Sequence, residues 1–150
     1  MPVLVITRGL PGCGKTTRAL AWVAGDPAHR VRVNRDALRN MMHGRRLGTR
    51  AQEEQVTLAQ RASVAALLSA GLDVVVDDTN LPDQHARALI DLGRAADAQV
   101  EVWDMRGVPL PECIRRDNQR DPADQVGERV ISEMFVEHII NAPLRAARGR

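Results

Sequence analysis

Residues Gly9-Leu10-Pro11-Gly12-Cys13-Gly14-Lys15-Thr16 satisfy the pattern G-x-x-x-x-G-K-[ST] at every position. A loop of this kind limits what can surround it. Glycines at 9, 12 and 14 let the backbone turn tightly with its N–H groups pointing inward, which creates an anion-binding concavity. The concavity is complete only when a strand leads in and a helix leads out, because the helix N-terminus adds free donors and a positive dipole end. Both flanks are legible here. Val3 to Ile6 is a short apolar run ahead of the loop, and Gly14 to Ala24 carries a helical pattern closed by Gly25, with Pro27 beyond.

The same alternation continues along the chain. Arg30 to Val33 reads as a short strand, and Asp36 to His43 as a helix halted by Gly44. Thr49-Arg50-Ala51-Gln52 fits a capping box and opens a long helix through Ala70, which Gly71 ends. Leu72 to Val76 is apolar on both faces, as a strand covered by helices on two sides must be. A helix from Pro82 to about Ala96, a strand at Val100 to Trp103, and helices over Leu110 to Arg120 and Val126 to Ile140 follow; Ala146 to Arg150 reads as a frayed end. The order βαβααβαβαα predicts an α/β fold, a three-layer sandwich with a four-stranded, mainly parallel sheet, in one domain over residues 1–150.

Composition narrows the possibilities. Hydrophobic residues make up 44% and charged residues 27%, which suits a globular chain rather than a disordered or membrane-spanning one. The N-terminus has neither a charged leader nor a long apolar stretch, and two cysteines are too few for a disulfide framework, so a cytoplasmic setting without membrane contact is expected. A net charge of +2 demands no polyanionic partner. The three aromatic residues, Trp22, Trp103 and Phe135, are too few for a stacking platform for single-stranded nucleic acid. Of 21 basic residues, twenty are arginine, and the single lysine is Lys15.

That lysine is placed to reach the β- and γ-phosphates of a nucleoside triphosphate such as ATP, and the Thr16 hydroxyl to coordinate Mg²⁺. Gly9, Gly12, Cys13, Gly14 and Thr17 complete the nucleotide-binding set, with Cys13 filling a small loop position. A dinucleotide site fits less well, because no third glycine falls at the required offset. A guanine-binding Asn-Lys-x-Asp motif is excluded by the lysine count.

Three further clusters carry chemistry. Asn34-Arg35-Asp36 follows the second strand, at the end of a parallel sheet where ligands gather. Asp36 there can take the proton of an attacking hydroxyl, or it can cap the helix that starts at Ala37. Arg39, at i+3, shares its face and can grip a phosphate by two prongs. Asp77-Asp78-Thr79-Asn80 ends the third strand. Asp77 stands where Walker B acids orient Mg²⁺ or its water shell, while Asp78 stands where an ATPase would carry a water-activating Glu, or bonds the turn backbone. Arg116 and Arg120, four apart, can close as a lid over the nucleotide, and Arg45-Arg46-Leu47-Gly48-Thr49-Arg50 can follow a phosphodiester backbone.

Together, Gly9 to Thr17, Asn34-Arg35-Asp36 with Arg39, Asp78-Thr79-Asn80-Leu81 and the Arg116/Arg120 segment resemble the 5′-hydroxyl polynucleotide kinases of bacteriophages and related RNA-repair enzymes. The resemblance runs through nearly the whole chain. It implies a P-loop kinase fold with a helical lid and the first strand beside the third. It implies Asp36 as general base toward a 5′-OH end of DNA or RNA, Arg39 on the acceptor's neighbouring phosphate, and Asp78 helping to hold that arginine. Lys15 and Thr16 match donor and metal ligands, Arg116 and Arg120 match lid arginines, and the reactants implied are ATP with Mg²⁺ and a polynucleotide. No Asp-x-Asp phosphatase motif follows, so no phosphatase domain is expected in this chain. Two alternatives stay open: a P-loop kinase acting on a small-molecule hydroxyl, and a nucleotide-binding ATPase module.

Overall fold

The computed structural model describes residues 1–44 and 47–142. Arg45 and Arg46 of the basic loop, and the expected frayed end at 146–150, lie outside the described residues. Four strands, β1 (Val3–Arg8), β2 (Arg30–Val33), β3 (Asp73–Val76) and β4 (Gln99–Asp104), form one sheet in the order β2-β3-β1-β4. Every pairing is parallel, and the first strand does lie beside the third, with Ile6 opposite Val76.

Alternation of side chains along the central strands explains the three layers. Leu4, Ile6, Val74 and Val76 point to one face, where they pack with Val64 and Leu68 of α3 (Arg50–Ser69) and Leu89 of α4 (Asp83–Ala95). Val5 and Val75 point to the other, against Ala19 and Trp22 of α1 (Lys15–Ala24). Each of these fully buried Val, Leu and Ile side chains contributes roughly 1.5–3 kcal/mol relative to exposure. Helix α4 approaches the sheet closely at Gly93, where a Cβ would come within 2.8 Å of both Leu4 and Val100 side chains.

A third apolar cluster stands apart from the sheet. Leu10 and Cys13 of the glycine-rich loop pack with Leu81, with Cys113 of α5 (Leu110–Asn118) and with Ile131 of α6 (Glu128–Phe135). The last two helices thus sit on the loop itself. Their extents differ from the expectation: α5 stops at Asn118, so Arg120 lies past its end, and α6 continues as a π-helical stretch, Val136–Ile140. The stop has a local cause. Pro122 follows shortly, and the buried Asp117 carboxylate accepts from Val126 N–H (3.0 Å) and Gly127 N–H (2.9 Å), folding the chain back on itself.

The carboxyl ends of β1 and β3 are fastened through one hydroxyl. Thr7 Oγ1, fully buried, donates to the Asp78 carbonyl (2.8 Å) and accepts from the Asp78 N–H (3.1 Å). Asn80, with φ 42°, adds a bond from Nδ2 to the Thr7 carbonyl (2.9 Å), and Gly9 N–H reaches the Thr79 carbonyl (3.0 Å). No helix of the described residues is long and apolar enough to cross a membrane.

Candidate active site

Three strand ends supply the site from one side of the sheet: β1 gives Gly9 onward, β2 gives Asn34 onward, and β3 gives Asp77 onward. In the loop, Gly12 and Gly14 have φ of 82° and 100°, the left-handed region that glycine adopts without Cβ strain. A Cβ at Gly12 would lie 2.3 Å from the Cys113 carbonyl oxygen, so the loop and α5 are in backbone contact there. The Lys15 side chain is buried, and its ammonium donates to the Leu10 carbonyl at 2.7 Å, with Cys13 Sγ at 3.5 Å. Thr17 is exposed at the start of α1.

Thr16 and Asp77 meet. The Thr16 hydroxyl donates to Asp77 Oδ2 (2.9 Å), which also accepts from Arg32 Nε at 2.6 Å. Asp77 is 1% exposed, and its other oxygen, Oδ1, is buried with no hydrogen-bond partner among the described residues. A buried carboxylate oxygen without a partner costs free energy unless something fills the place. A hydroxyl beside such an oxygen is the hard-oxygen donor chemistry that suits Mg²⁺.

The second cluster lies on α2 (Arg35–His43). Its N-cap is Asn34, whose side chain accepts from the Ala37 N–H. Asp36 is therefore spared the capping role and stands in the first turn with its side chain 82% exposed. Arg39 is buried, with Nη1 on Asp36 Oδ1 (2.6 Å), and Nη2 on Glu53 Oε2 (2.9 Å) while Nε takes Glu53 Oε1. Glu53, in the first turn of α3, also accepts from Arg35 Nη2 (3.0 Å). The Arg39 guanidinium, assisted by Arg35 and opposed by partial burial, holds the Glu53 carboxyl well below the ordinary range, at about 2.

Asp78 does something other than the expected support of Arg39. Its Oδ1 accepts from the Arg35 backbone N–H (2.9 Å), and its Oδ2 accepts from Gln60 Nε2 of α3. The reason is reach: Asp78, just past β3, lies beside the first residue of α2, whereas Arg39 lies a turn further along and faces Glu53. Burial pushes the Asp78 carboxyl up to about 7, with the Arg35 N–H opposing and the neighbouring Asp77 charge adding to the rise. Since the folded value lies above the ordinary 3.8, the folded state penalises ionisation: stability is fully present below about pH 3.8 and is lost as pH rises through about 7. Asp78→Asn is accordingly expected to gain on the wild type by a few kcal/mol at most between pH 5 and pH 8. Thermal midpoints at the two pH values check this; an unchanged difference would show that ionised Asp78 is tolerated.

On the lid side, Arg116 bonds Glu112 through Nε (2.8 Å) and approaches the Gly12 carbonyl through Nη1 (3.5 Å), so it lies against the phosphate loop. Arg120 is held more loosely, 3.6 Å from Asp117. The pair does not share one helix face, because the helix ends between them.

Sequence reasoning passed over Arg32, Glu53, Gln60 and Asp117. Arg32 did leave a signal: a charged side chain inside a strand of the sheet calls for an anionic partner where it leaves water. Glu53 left none, because an acid in the first turn of a helix already suits the helix dipole.

The architecture is that of an α/β P-loop kinase with an all-parallel four-stranded sheet. Residues 4–137 match the AAA domain family, and the chain belongs to that family. It is similar to a chain in the structure of the Pnkp1/Rnl/Hen1 RNA repair complex, at 28% identity and a TM-score of 0.80, covering 95% of this chain and 45% of that one. A chain of another Pnkp1/Rnl/Hen1 complex structure matches at 32% identity and a TM-score of 0.70, over 77% of this chain and 38% of that one. The chain thus spans less than half the length of these relatives. The Mycobacterium tuberculosis APS kinase CysC, in complex with AMPPNP and APS, shares the fold at 20% identity and a TM-score of 0.64, over 79% of this chain and 69% of that one.

Proposed function

We propose that the chain is a polynucleotide 5′-hydroxyl kinase that transfers the γ-phosphate of ATP to the 5′-OH end of DNA or RNA. The observation that carries this reading is the meeting of two half-sites at one end of the sheet. One is a phosphate loop with Lys15, Thr16 and Asp77. The other is an exposed carboxylate, Asp36, tied to an arginine, Arg39, two of whose five N–H donors have no partner among the described residues. The similarity to chains of an RNA repair complex supports a nucleic-acid acceptor.

The chemistry divides among the chain's own residues. Asp36 takes the proton as the acceptor oxygen attacks the γ-phosphorus and the bond to the β-bridging oxygen breaks, leaving ADP and a 5′-phosphate end. Lys15 exchanges the Leu10 carbonyl for β- and γ-phosphate oxygens, and loop N–H groups hold the remaining oxygens. Arg116 lies close enough to the loop to neutralise charge developing on the transferred group, and Arg120 serves from the turn beyond. Thr16 and the unpartnered Oδ1 of Asp77 suit Mg²⁺, which when bound neutralises phosphate charge. The two free, buried cysteines suit a reducing, cytoplasmic setting.

The scarcity of aromatic side chains favours a second reading, a kinase of the same build acting on a small-molecule hydroxyl. ATP labelled at the γ-phosphate, with Mg²⁺ and a 5′-OH oligonucleotide, separates the two. Label is expected at the 5′ end, with none on a control oligonucleotide already phosphorylated there. ADP release in the presence of the 5′-OH oligonucleotide, with no label on it, would overturn the polynucleotide reading.

A further inference from the structure

We propose that Glu53 is a positioning residue that aims the Arg39 guanidinium at the acceptor's phosphate and keeps it from closing onto Asp36. This rests on the function proposed above, and it concerns a residue on α3, outside both half-sites as they were drawn.

Arg39 has five N–H donors in one plane. Glu53 takes the Nε–H and one hydrogen of Nη2, which fixes the side-on edge of the guanidinium against α3. Asp36 takes one hydrogen of Nη1. Among the described residues, the donors left over are one on Nη1 and one on Nη2. Nη1 and Nη2 make up the end-on edge of the guanidinium, the edge that Glu53 leaves open and that can meet phosphate oxygens. Glu53 is itself held from three directions: by Arg39, by Arg35 Nη2, and by the Gly48 N–H at 3.3 Å. Arg35 is tied in turn to Thr57 Oγ1 at 2.8 Å. The carboxylate is thus a fixed post, and the arginine pivots on it.

Removing the post leaves Arg39 buried beside a single carboxylate, Asp36. The guanidinium then gains most by pairing with both Asp36 oxygens, because a buried cation without a close anion is costly. That closure takes the end-on edge off the acceptor phosphate and occupies the lone pairs that receive the hydroxyl proton. Acceptor binding and the basicity of Asp36 fall together, while the donor half-site, the phosphate loop with Lys15, Thr16 and Asp77, is untouched.

The test compares a nucleoside 3′-phosphate with the plain nucleoside as acceptors, so that the neighbouring phosphate is the sole difference. Wild type is expected to favour the phosphorylated acceptor in kcat/KM. In Glu53→Ala that preference is expected to fall on the order of tenfold or more, consistent with loss of an aimed charge-assisted contact, with the KM for ATP within about twofold of wild type. Glu53→Gln preserves the shape but opposes an amide N–H₂ to an arginine donor, so it should show the same loss in milder form. It also keeps the question answerable if the alanine variant does not fold. A full preference for the 3′-phosphate in folded Glu53→Gln or Glu53→Ala would overturn the assignment, as would an equal rise in the KM for ATP. Failure of wild type to phosphorylate either acceptor, or a 5′-OH oligonucleotide, would instead remove the kinase reading on which it rests.

Discussion

Asparagine in place of Asp36 is expected to reduce phosphoryl transfer to a 5′-OH oligonucleotide by about 10²–10⁴-fold, the range that a positioned general base contributes. ATP affinity and folding should be unchanged. The side chain is 82% exposed, and the helix it begins is capped by Asn34 rather than by Asp36 itself. Single-turnover transfer, with nucleotide binding measured separately, separates the outcomes. Had Asp36 been a helix cap only, its loss would cost about 1 kcal/mol of stability and spare the chemistry. Transfer at the wild-type rate in Asp36→Asn would therefore move the base elsewhere. The ion pair with Arg39 leaves Asp36 Oδ2 free for the incoming hydroxyl, so the asparagine keeps the pairing oxygen while losing the proton acceptor.

Alanine at Gly12 should be the most damaging single methyl among the glycines of the described residues. The residue sits at φ 82°, where a Cβ is strained, and the added carbon would fall 2.3 Å from the Cys113 carbonyl, a backbone atom that cannot rotate away. Either α5 lifts from the loop or the loop loses its curvature. In both cases nucleotide binding is expected to weaken by more than about tenfold, since the donors no longer converge. Ligand-dependent thermal shift reads this directly: ATP should raise the midpoint of the wild type and leave that of Gly12→Ala nearly unmoved. Gly44→Ala provides the comparison, because φ is 60° there but nothing among the described residues lies within 4 Å of an added Cβ. It should lose only about 1–2 kcal/mol of stability and keep its nucleotide response.

Much of this fold is legible from local pattern. The glycine-rich loop between a strand and a helix, the Thr49–Gln52 capping box, and the doubly apolar Val74-Val75-Val76 are each decided by residues within a few positions of one another. What stayed hidden depends on segments far apart in the chain. Nothing near Glu53 announces that Arg35 and Arg39 will fold back on it across the α2–α3 turn, and Asp78 meets Gln60 only because α3 lies against β3. The end of α5 is hidden for a similar reason. Arg116 and Arg120 are spaced for one helical face, but the buried Asp117 finds its partners at Val126 and Gly127, and satisfying that carboxylate outweighs another turn of helix.

The hydroxyl of Thr7 has a mechanical consequence. It bonds the end of β1 to the end of β3, one residue before Arg8 and the loop on one side and at Asp78 on the other, so the two floors of the crevice behave as one solid piece. If the chain works as the proposed kinase, movement during turnover is expected in the helices around that piece. On one flank it is α5 and α6, resting on the loop through Cys113 and Ile131; on the other it is α2 and α3, joined by Glu53. Under the proposed function, the floor would act as a gauge of constant length between donor and acceptor, and the walls would carry the traffic of substrates and products.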